Sequence, residues 1–118
     1  MTLGALCREM GETEYSYTQS FKAFEQDWLY HNAEAGLVSS TSRLKKWFQT
    51  LDDDMKAAIA ALSDDDGKKV VHRGSFESTV DFQLEFYLQA VLIFLGKATI
   101  FLRAMNKPLP QAFQDYIG

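Results

Sequence analysis

From Val80 to Met105 the chain reads VDFQLEFYLQAVLIFLGKATIFLRAM, a stretch of helical length that is apolar around nearly its whole circumference. One face carries apolar side chains at spacings of three and four, namely Val80, Leu84, Leu88, Val91, Leu95, Ala98, Leu102 and Met105. A second face carries Phe82, Phe86, Ile93 and Ile100. Because a helix that is apolar on two faces needs partners on two sides, the pattern predicts a helix at the centre of a bundle.

Two further helices precede this one. The first begins after Thr2, a suitable N-cap, and carries an apolar seam that only Glu14 interrupts: Leu3, Cys7, Met10, Glu14, Tyr17, Phe21, Phe24 and Trp28. The polar segment 32–36 is expected to end it. The second helix begins in the cluster 39–42 and is closed by the acidic run 64–67. Its predicted buried face consists of Leu44, Trp47, Phe48, Leu51, Met55, Ile59 and Leu62.

The remaining segments are short. Val70 and Val71 favour an extended conformation between the second and third helices, and Gly74 permits a turn. The third helix is expected to run from about Ser78 to Asn106, where Lys107-Pro108 stops it. The last segment, 111–117, can form a final helical turn that lays Phe113, Tyr116 and Ile117 on the bundle.

The predicted fold is therefore all-α, an antiparallel helical bundle with three long helices per chain and a single domain over residues 1–118. Three helices leave the doubly apolar third helix short of a fourth neighbour. A homodimer, in which the partner supplies the missing face, is the simplest remedy. An N-terminal helix that the given sequence lacks would leave the same gap.

Composition narrows the functional classes. Sixteen acidic and twelve basic residues give a net charge of −4, and the basic residues are scattered, so no nucleic-acid partner is predicted. A lone cysteine, Cys7, fits a reducing compartment, and the N-terminus lacks the pattern of a signal peptide, so the expected location is the cytoplasm. The continuous apolar run VLIFL ends at Gly96-Lys97, far short of the roughly 20 residues of a membrane span, so no membrane partner is predicted.

Glu14 is the residue with the clearest chemical interest, because a carboxylate between Met10 and Tyr17 must find a partner or be neutral. It could act as a general base or orient a ligand in a pocket. Alternatively it could be a structural carboxyl group, hydrogen-bonded to Tyr87 or Arg103 of a neighbouring helix. Both interpretations predict burial, and only the first predicts an adjacent open cavity.

Other chemistry-bearing residues offer little. His31 and His72 lie in predicted connections without further ligands at helical spacing, so they are expected to be surface histidines. The run 64–67 lacks the alternating acids of a calcium loop. Cys7 has no histidine near it in sequence and is expected to be a core thiol.

Two stretches resemble the DinB/YfiT-like superfamily of helical-bundle proteins. The first is TLGALCREMGETE, residues 2–14, which is similar to that family's opening pattern, with Glu14 at the position of its glutamate. The second is FLGKATIFLRAMNKPLP, residues 94–110, which is similar to the family's late helix and its proline-containing end. The given sequence begins where the family's second helix would begin.

In this family one early and two late histidines typically hold a metal. The corresponding positions here are Glu9, Ala90 and Phe94, of which only Glu9 could donate to a metal, so no metal and no cofactor are expected. The resemblance implies a DinB-like, dimeric, metal-free and non-catalytic protein that can bind a small molecule. The residues expected to line its pocket are Glu9, Glu14, Tyr17, Phe86, Ala90 and Phe94.

The alternative is an enzyme of the thiol transferase or hydrolase type that uses Glu14 or a nonstandard metal site. A third class, a purely structural interaction protein, would use the apolar helix as an assembly surface and leave no cavity.

Overall fold

The computed structural model describes residues 1–117, and the side chains as far as residue 115. It is mostly helical, as expected, with three long helices and one small antiparallel sheet. The helices are α1 (Leu3–Ala23), α2 (Thr41–Ala60), α3 (Val80–Ala104) and the short α4 (Gln111–Ile117). The strands are β1 (Val70–His72) and β2 (Glu77–Thr79).

Hydroxyl side chains cap all three long helices. The hydroxyl of Thr2 accepts a hydrogen bond from the backbone N–H of Ala5 at 3.1 Å, as predicted for the start of α1. Ser40 and Thr79 do the same for α2 and α3, each at 3.3 Å. These bonds satisfy backbone donors that a helix start leaves unpaired, which explains why the Ser/Thr positions predicted the helix starts closely.

The predicted end of α1 was wrong. The helix stops at Ala23, and Phe24 takes up a left-handed conformation with φ of 56°. Its carbonyl then accepts a hydrogen bond from the backbone N–H of His72 at 3.0 Å. The helix thus ends where the chain bonds a distant strand, although the apolar pattern continues to Trp28. Trp28 itself lies in the connection after the helix.

The central helix is α1, and the prediction that α3 occupies this position was wrong. Eight residues of α1 are buried, against three of α3, and α1 packs against both other long helices. Several of those eight are small, including Gly11, Ser16 and Ser20, so neighbours can approach on two sides. The Trp47 ring of α2 fills the space where a side chain at position 11 would lie.

The expectation of antiparallel neighbours holds for only one pair of helices. Gln83 of α3 bonds Ser20, whereas Tyr87, one turn later, lies against Tyr17, so α1 and α3 run in opposite directions. The two helices α1 and α2 run parallel, because contacts with α2 advance along both helices together: Gly11 with Trp47, Glu14 with Asp52 and Thr18 with Met55.

The parallel arrangement is possible because the connection 24–40 is long enough to return along the whole of α1. Its contacts with α1 follow that path: Ser16 donates a hydrogen bond to the carbonyl of Asp27, and the rings of Tyr15 and Tyr30 stack with centroids 3.8 Å apart. Farther on, the backbone N–H of Asn32 donates to the carboxylate of Glu12 at 3.0 Å. The predicted loop, residues 32–36, covers only part of this connection.

Strands β1 and β2 form a hairpin that the all-α prediction missed, although Val70-Val71 was expected to be extended. Val71 pairs with Ser78 and is fully buried, whereas its neighbours in the strand are exposed. The residues at the core centre come from α1, α2, β1 and α3: Tyr17, Phe21, Met55, Ala58, Val71 and Val80. The hairpin thus closes one end of the helical core.

The outer face of α3 is exposed. Leu92 is 59% accessible and Ile100 is 69% accessible, and Phe82, Leu88, Ile93 and Met105 are also at least half exposed. By length and composition this 25-residue helix could also cross a membrane: its most apolar 18-residue window has a mean hydropathy of 1.5, with 6% of that window buried. Within the described residues this face is uncovered, as the predicted shortage of a fourth neighbour for this helix implies.

Smaller differences concern α2 and the C-terminus. Ile59 was expected to be buried and is exposed, because Ala58 takes the position facing the core. The predicted final turn exists as α4, where Phe113 is half-buried. The predicted packing of the side chains of Tyr116 and Ile117 falls outside the described residues.

Candidate functional site

The six predicted pocket residues all lie on α1 or α3. Tyr17 is at the core centre, and Phe86 and Ala90 pack against that core. Phe94 and Glu14 are buried, and Glu9 is half-buried. The structure therefore places them along one helix pair, with most of them filling the interior, and none of the six lines the cavities described below.

Glu14 forms an acidic cluster with Asp52 of α2 and Tyr87 of α3. It is only 3% exposed, and its carboxyl group interacts with the Asp52 carboxylate and the Tyr87 hydroxyl. The structural interpretation of Glu14 named Tyr87 as a partner, and this contact is present. Asp52 was not anticipated, because the predicted antiparallel packing gave no reason to place it opposite Glu14.

The electrostatics of this cluster favour a protonated Glu14. Burial, followed by the hydrogen bond to Asp52 and its negative charge, raises the pKa of Glu14 to about 8. Burial and the nearby Glu14 also raise the pKa of Tyr87 above its ordinary value. The raised pKa favours the protonated form of Glu14 at neutral pH, in which its carboxyl group can donate a hydrogen bond to Asp52.

A cavity of about 660 Å³ opens between α1 and α2 beside this cluster. Asp52 forms part of its wall, together with Cys7, Lys45 and several apolar side chains, among them Leu44 and Phe48. Burial raises the pKa of the Cys7 thiol, which keeps it protonated and poorly nucleophilic. The volume of the cavity is in the range of small-molecule sites. Its wall includes the carboxylate of Asp52, the acidic neighbour of Glu14.

A second polar centre is formed by Arg73, the residue that follows β1. Its Nη1 donates to Oε1 of Gln83 at 2.7 Å and to Oε1 of Gln26 at 2.8 Å. Its guanidinium carbon lies 5.0 to 5.6 Å from the centres of four aromatic rings, those of Tyr17, Trp28, Phe76 and Phe86. Two of the predicted pocket residues, Tyr17 and Phe86, therefore belong to this aromatic cage.

Gln83 and Gln26 connect this cage to the centre of the molecule. The amide nitrogen of Gln83 donates to the hydroxyl of Ser20 at 3.0 Å and also to Oε1 of Gln26. Gln83 is fully buried and Gln26 nearly so. The network ties α1, the connection after it, the hairpin and α3 together through hydrogen bonds that buried amides require.

Glu9, Ala90 and Phe94, where the resemblance predicted metal-ligand positions, do not provide the donors of a metal site. Ala90 and Phe94 carry no donor atom, and Glu9 contributes only a single carboxylate, far from the three or four ligands of a zinc site. Oε2 of Glu9 is buried without a hydrogen-bond partner. Within residues 1–117 no group of three His, Cys, Asp or Glu side chains converges.

Both histidines bond acidic neighbours. Nδ1 of His31 lies 2.8 Å from Glu12, and Nδ1 of His72 lies 3.1 Å from Glu77, its partner across the hairpin. Both imidazoles are more than half exposed. The expectation that they are surface histidines is confirmed.

Sequence reasoning missed Asp52 and Arg73. Arg73 lies outside every periodic helical segment, and its cage assembles from four distant parts of the chain. Phe76 offered a usable signal, because it is an aromatic residue in the predicted connection before the third helix. Trp28 was predicted to lie on the first helix and offered none. Comparison with protein-family models, with curated proteins and with solved structures gives no match for this chain.

Proposed function

We propose that the chain is a metal-free, non-catalytic helical binding protein of the cytoplasm that pairs with a second copy of itself through the outer face of α3. The observation that carries this proposal is the exposure of that face. Large exposed apolar patches on a folded chain mark interaction surfaces, and a second copy is the occupant that the charges on this helix fit.

The outer face of α3 forms a stripe with charges at its ends. Glu85 and Arg103 are exposed and lie 18 positions apart, which is five helical turns and about 27 Å. They therefore project from the same side of the helix. Between them the same side presents Leu88, Leu92, Gly96 and Ile100, all exposed. In a parallel pair of α3 helices, Glu85 would face Glu85 and Arg103 would face Arg103. In an antiparallel pair, Glu85 of each copy would face Arg103 of the other.

The antiparallel register follows from these positions. If the two-fold axis passes the level of Phe94, Glu85 faces Arg103 of the second copy, and Leu88 faces Ile100. Leu92 then faces Gly96, where a Cβ atom would have no neighbour within 4 Å in the single chain. A leucine opposite an open glycine lets two helices approach closely, and in a two-fold interface each of these contacts occurs twice.

Charge reversal tests this register. Glu85→Arg and Arg103→Glu are each expected to weaken self-association, because each places two like-charged pairs in the interface. The double variant and an equimolar mixture of the two single variants are expected to restore it, since both arrangements restore two opposite-charge pairs. Sedimentation equilibrium at low ionic strength measures the dissociation constants.

Other outcomes would refute the antiparallel dimer. Single variants that associate as tightly as the unmodified protein would exclude this register. Binding of a monomeric protein to phosphatidylcholine vesicles, lost in Leu92→Asp, would assign the face to a membrane. Leu29→Asp is the matched control in both experiments, because Leu29 is 90% exposed and lies outside α3.

The DinB-like arrangement is the finer part of the proposal. It is supported by the resemblance at both ends of the chain and by three long helices that leave one face open for a fourth neighbour. Small-molecule binding is supported by the cavity of about 660 Å³ between α1 and α2 and by the polar groups beside it. The enzyme alternative draws on the same place, where Asp52 and the protonated Glu14 could exchange a proton with a substrate.

Metal content distinguishes these alternatives. Protein purified without an affinity tag is expected to contain zinc, nickel and iron only at a small fraction of its molar concentration, because the donor set at Glu9, Ala90 and Phe94 is inadequate. Elemental analysis by mass spectrometry measures the molar ratio of each metal to the protein. A stoichiometric metal would contradict the metal-free proposal and favour an enzyme with a nonstandard site.

A further inference from the structure

Arg73 is a permanently charged group without a charged partner. Within the described part of the chain, Arg73 forms no salt bridge. The basic residues that do form salt bridges there are Arg8, Arg43, Lys69 and the two histidines. The oxygens that accept from it belong to neutral side chains, Gln26, Gln83 and Tyr17. Arg73 is half-buried, and a charge that is partly withdrawn from water favours an anion beside it.

One edge of the guanidinium carries hydrogen-bond donors that are not fully used. Nη1 makes the two short bonds to the glutamines, whereas Nη2 has only a long contact of 3.5 Å with the Tyr17 hydroxyl. Nε is buried and has no partner, and the same is true of Nε2 of Gln26, a side chain that is 6% exposed. The edge formed by Nε and Nη2 has the spacing that a carboxylate binds with both oxygens.

A cavity of about 350 Å³ lies beside this group. Its lining includes Gln26, Arg73 and the hairpin turn 74–76. Gly74 in this turn has a φ of 90° and no neighbour within 4 Å of a Cβ position, so the turn leaves open space at that residue. Phe76 is half exposed, and its ring contacts both the guanidinium and the Phe86 ring.

From these observations we infer that the Arg73 cage binds a small organic carboxylate, held by Nε and Nη2 of Arg73 and by Nε2 of Gln26. The aromatic rings around the guanidinium exclude water and favour an organic anion with a short apolar part over a strongly hydrated inorganic ion. This inference deepens the small-molecule part of the proposed function by naming a ligand class, and it is independent of the dimer.

Two carboxylates at the cavity rim are expected to lower the affinity for an anion. Glu25 and Glu77 both line the cavity, and Glu77 is paired with His72 at 3.1 Å. Their negative charges oppose an incoming anion, so binding of a minimal carboxylate is expected to be weak. Glu25→Gln is expected to strengthen it, because this change removes one opposing charge without touching the guanidinium.

Titration with sodium acetate, followed by the ¹⁵N-edited NMR signal of the Arg73 Nε–H group, tests the site. We expect a saturable shift of this signal, with no comparable shift in sodium chloride or acetamide at matched concentrations. Arg73→Lys lacks this signal and is followed through the side-chain amide signal of Gln26. It is expected to weaken acetate binding at least about tenfold, because an ammonium group cannot bind both oxygens in a plane. Arg43→Lys is the control, since Arg43 is exposed and lies at the start of α2.

Three results would overturn the inference. The first is a signal that does not move with acetate, and the second is an equal shift with chloride, which would indicate an adventitious ion only. The third is acetate binding that Glu25→Gln weakens or leaves unchanged, because removal of an opposing charge at the rim is expected to strengthen it. If Arg73→Lys fails to fold, the titrations of the unmodified protein and of Glu25→Gln still decide the question. Loss of acetate binding with an intact dimer would leave the remainder of the proposed function standing.

Discussion

Leu92→Asp is expected to convert the protein from a dimer to a monomer while leaving the fold of each chain intact. Leu92 lies in the middle of the exposed stripe of α3 and takes no part in the core of its own chain. In a two-fold interface the substitution removes two buried leucines and introduces two carboxylates that have no partner. The combined effect should weaken association by at least about 3 kcal/mol, or roughly a hundredfold.

Sedimentation velocity measures this change, and far-ultraviolet circular dichroism checks that the helices remain. Leu29→Asp carries the same chemical change to a residue that is more exposed and lies on the connection after α1, so it should leave the dimer unaffected. A Leu92→Asp protein that sediments like the unmodified one would move the interface away from the outer face of α3.

Glu14→Gln is expected to stabilise the protein at alkaline pH and to remove much of its pH dependence. The pKa of Glu14 is raised from an ordinary 4.5 to about 8, first by burial and then by Asp52. The folded chain therefore binds this proton more tightly than the unfolded chain does. Stability is fully present below about pH 4.5 and is lost progressively as the pH rises towards about 8, reaching a difference on the order of 4 kcal/mol for this group.

Glutamine keeps the shape of a protonated glutamate and can still donate to Asp52, so the variant should retain the packing without the cost of ionisation. Urea unfolding at a fixed protein concentration, repeated at several pH values between about 5 and 9, gives the free energy of unfolding for both proteins. Glu34→Gln is the control, because Glu34 is half exposed near Arg43. Parallel pH profiles for Glu14→Gln and the unmodified protein would contradict this account of the cluster.

The helix starts were predictable because they depend on local chemistry. Thr2, Ser40 and Thr79 each cap the helix that follows within three residues, and such contacts can be inferred without knowing the fold. The end of α1 was not predictable in this way. It depends on the hydrogen bond from the backbone N–H of the distant residue His72 to the carbonyl of Phe24, which the periodic apolar pattern does not contain.

The position of each helix was harder to predict than its existence. The apolar residues of α3 indicated a central helix, yet small residues such as Gly11 and Ser20 allow α1 to take the centre. Hydrophobicity alone does not distinguish a face that packs within the chain from a face that packs against a partner. Glu14 was identifiable as a buried carboxyl group from its place in the apolar seam, whereas Asp52 required the parallel packing of α1 and α2.

The molar mass of the unmodified protein in solution, measured by sedimentation equilibrium over the micromolar range, tests the central claim most directly. A single chain has a mass of 13.4 kDa. Pairing through α3 predicts twice that mass, decreasing towards the single-chain value only on dilution. A mass of 13.4 kDa at every concentration in that range would contradict the proposal that α3 binds a second copy.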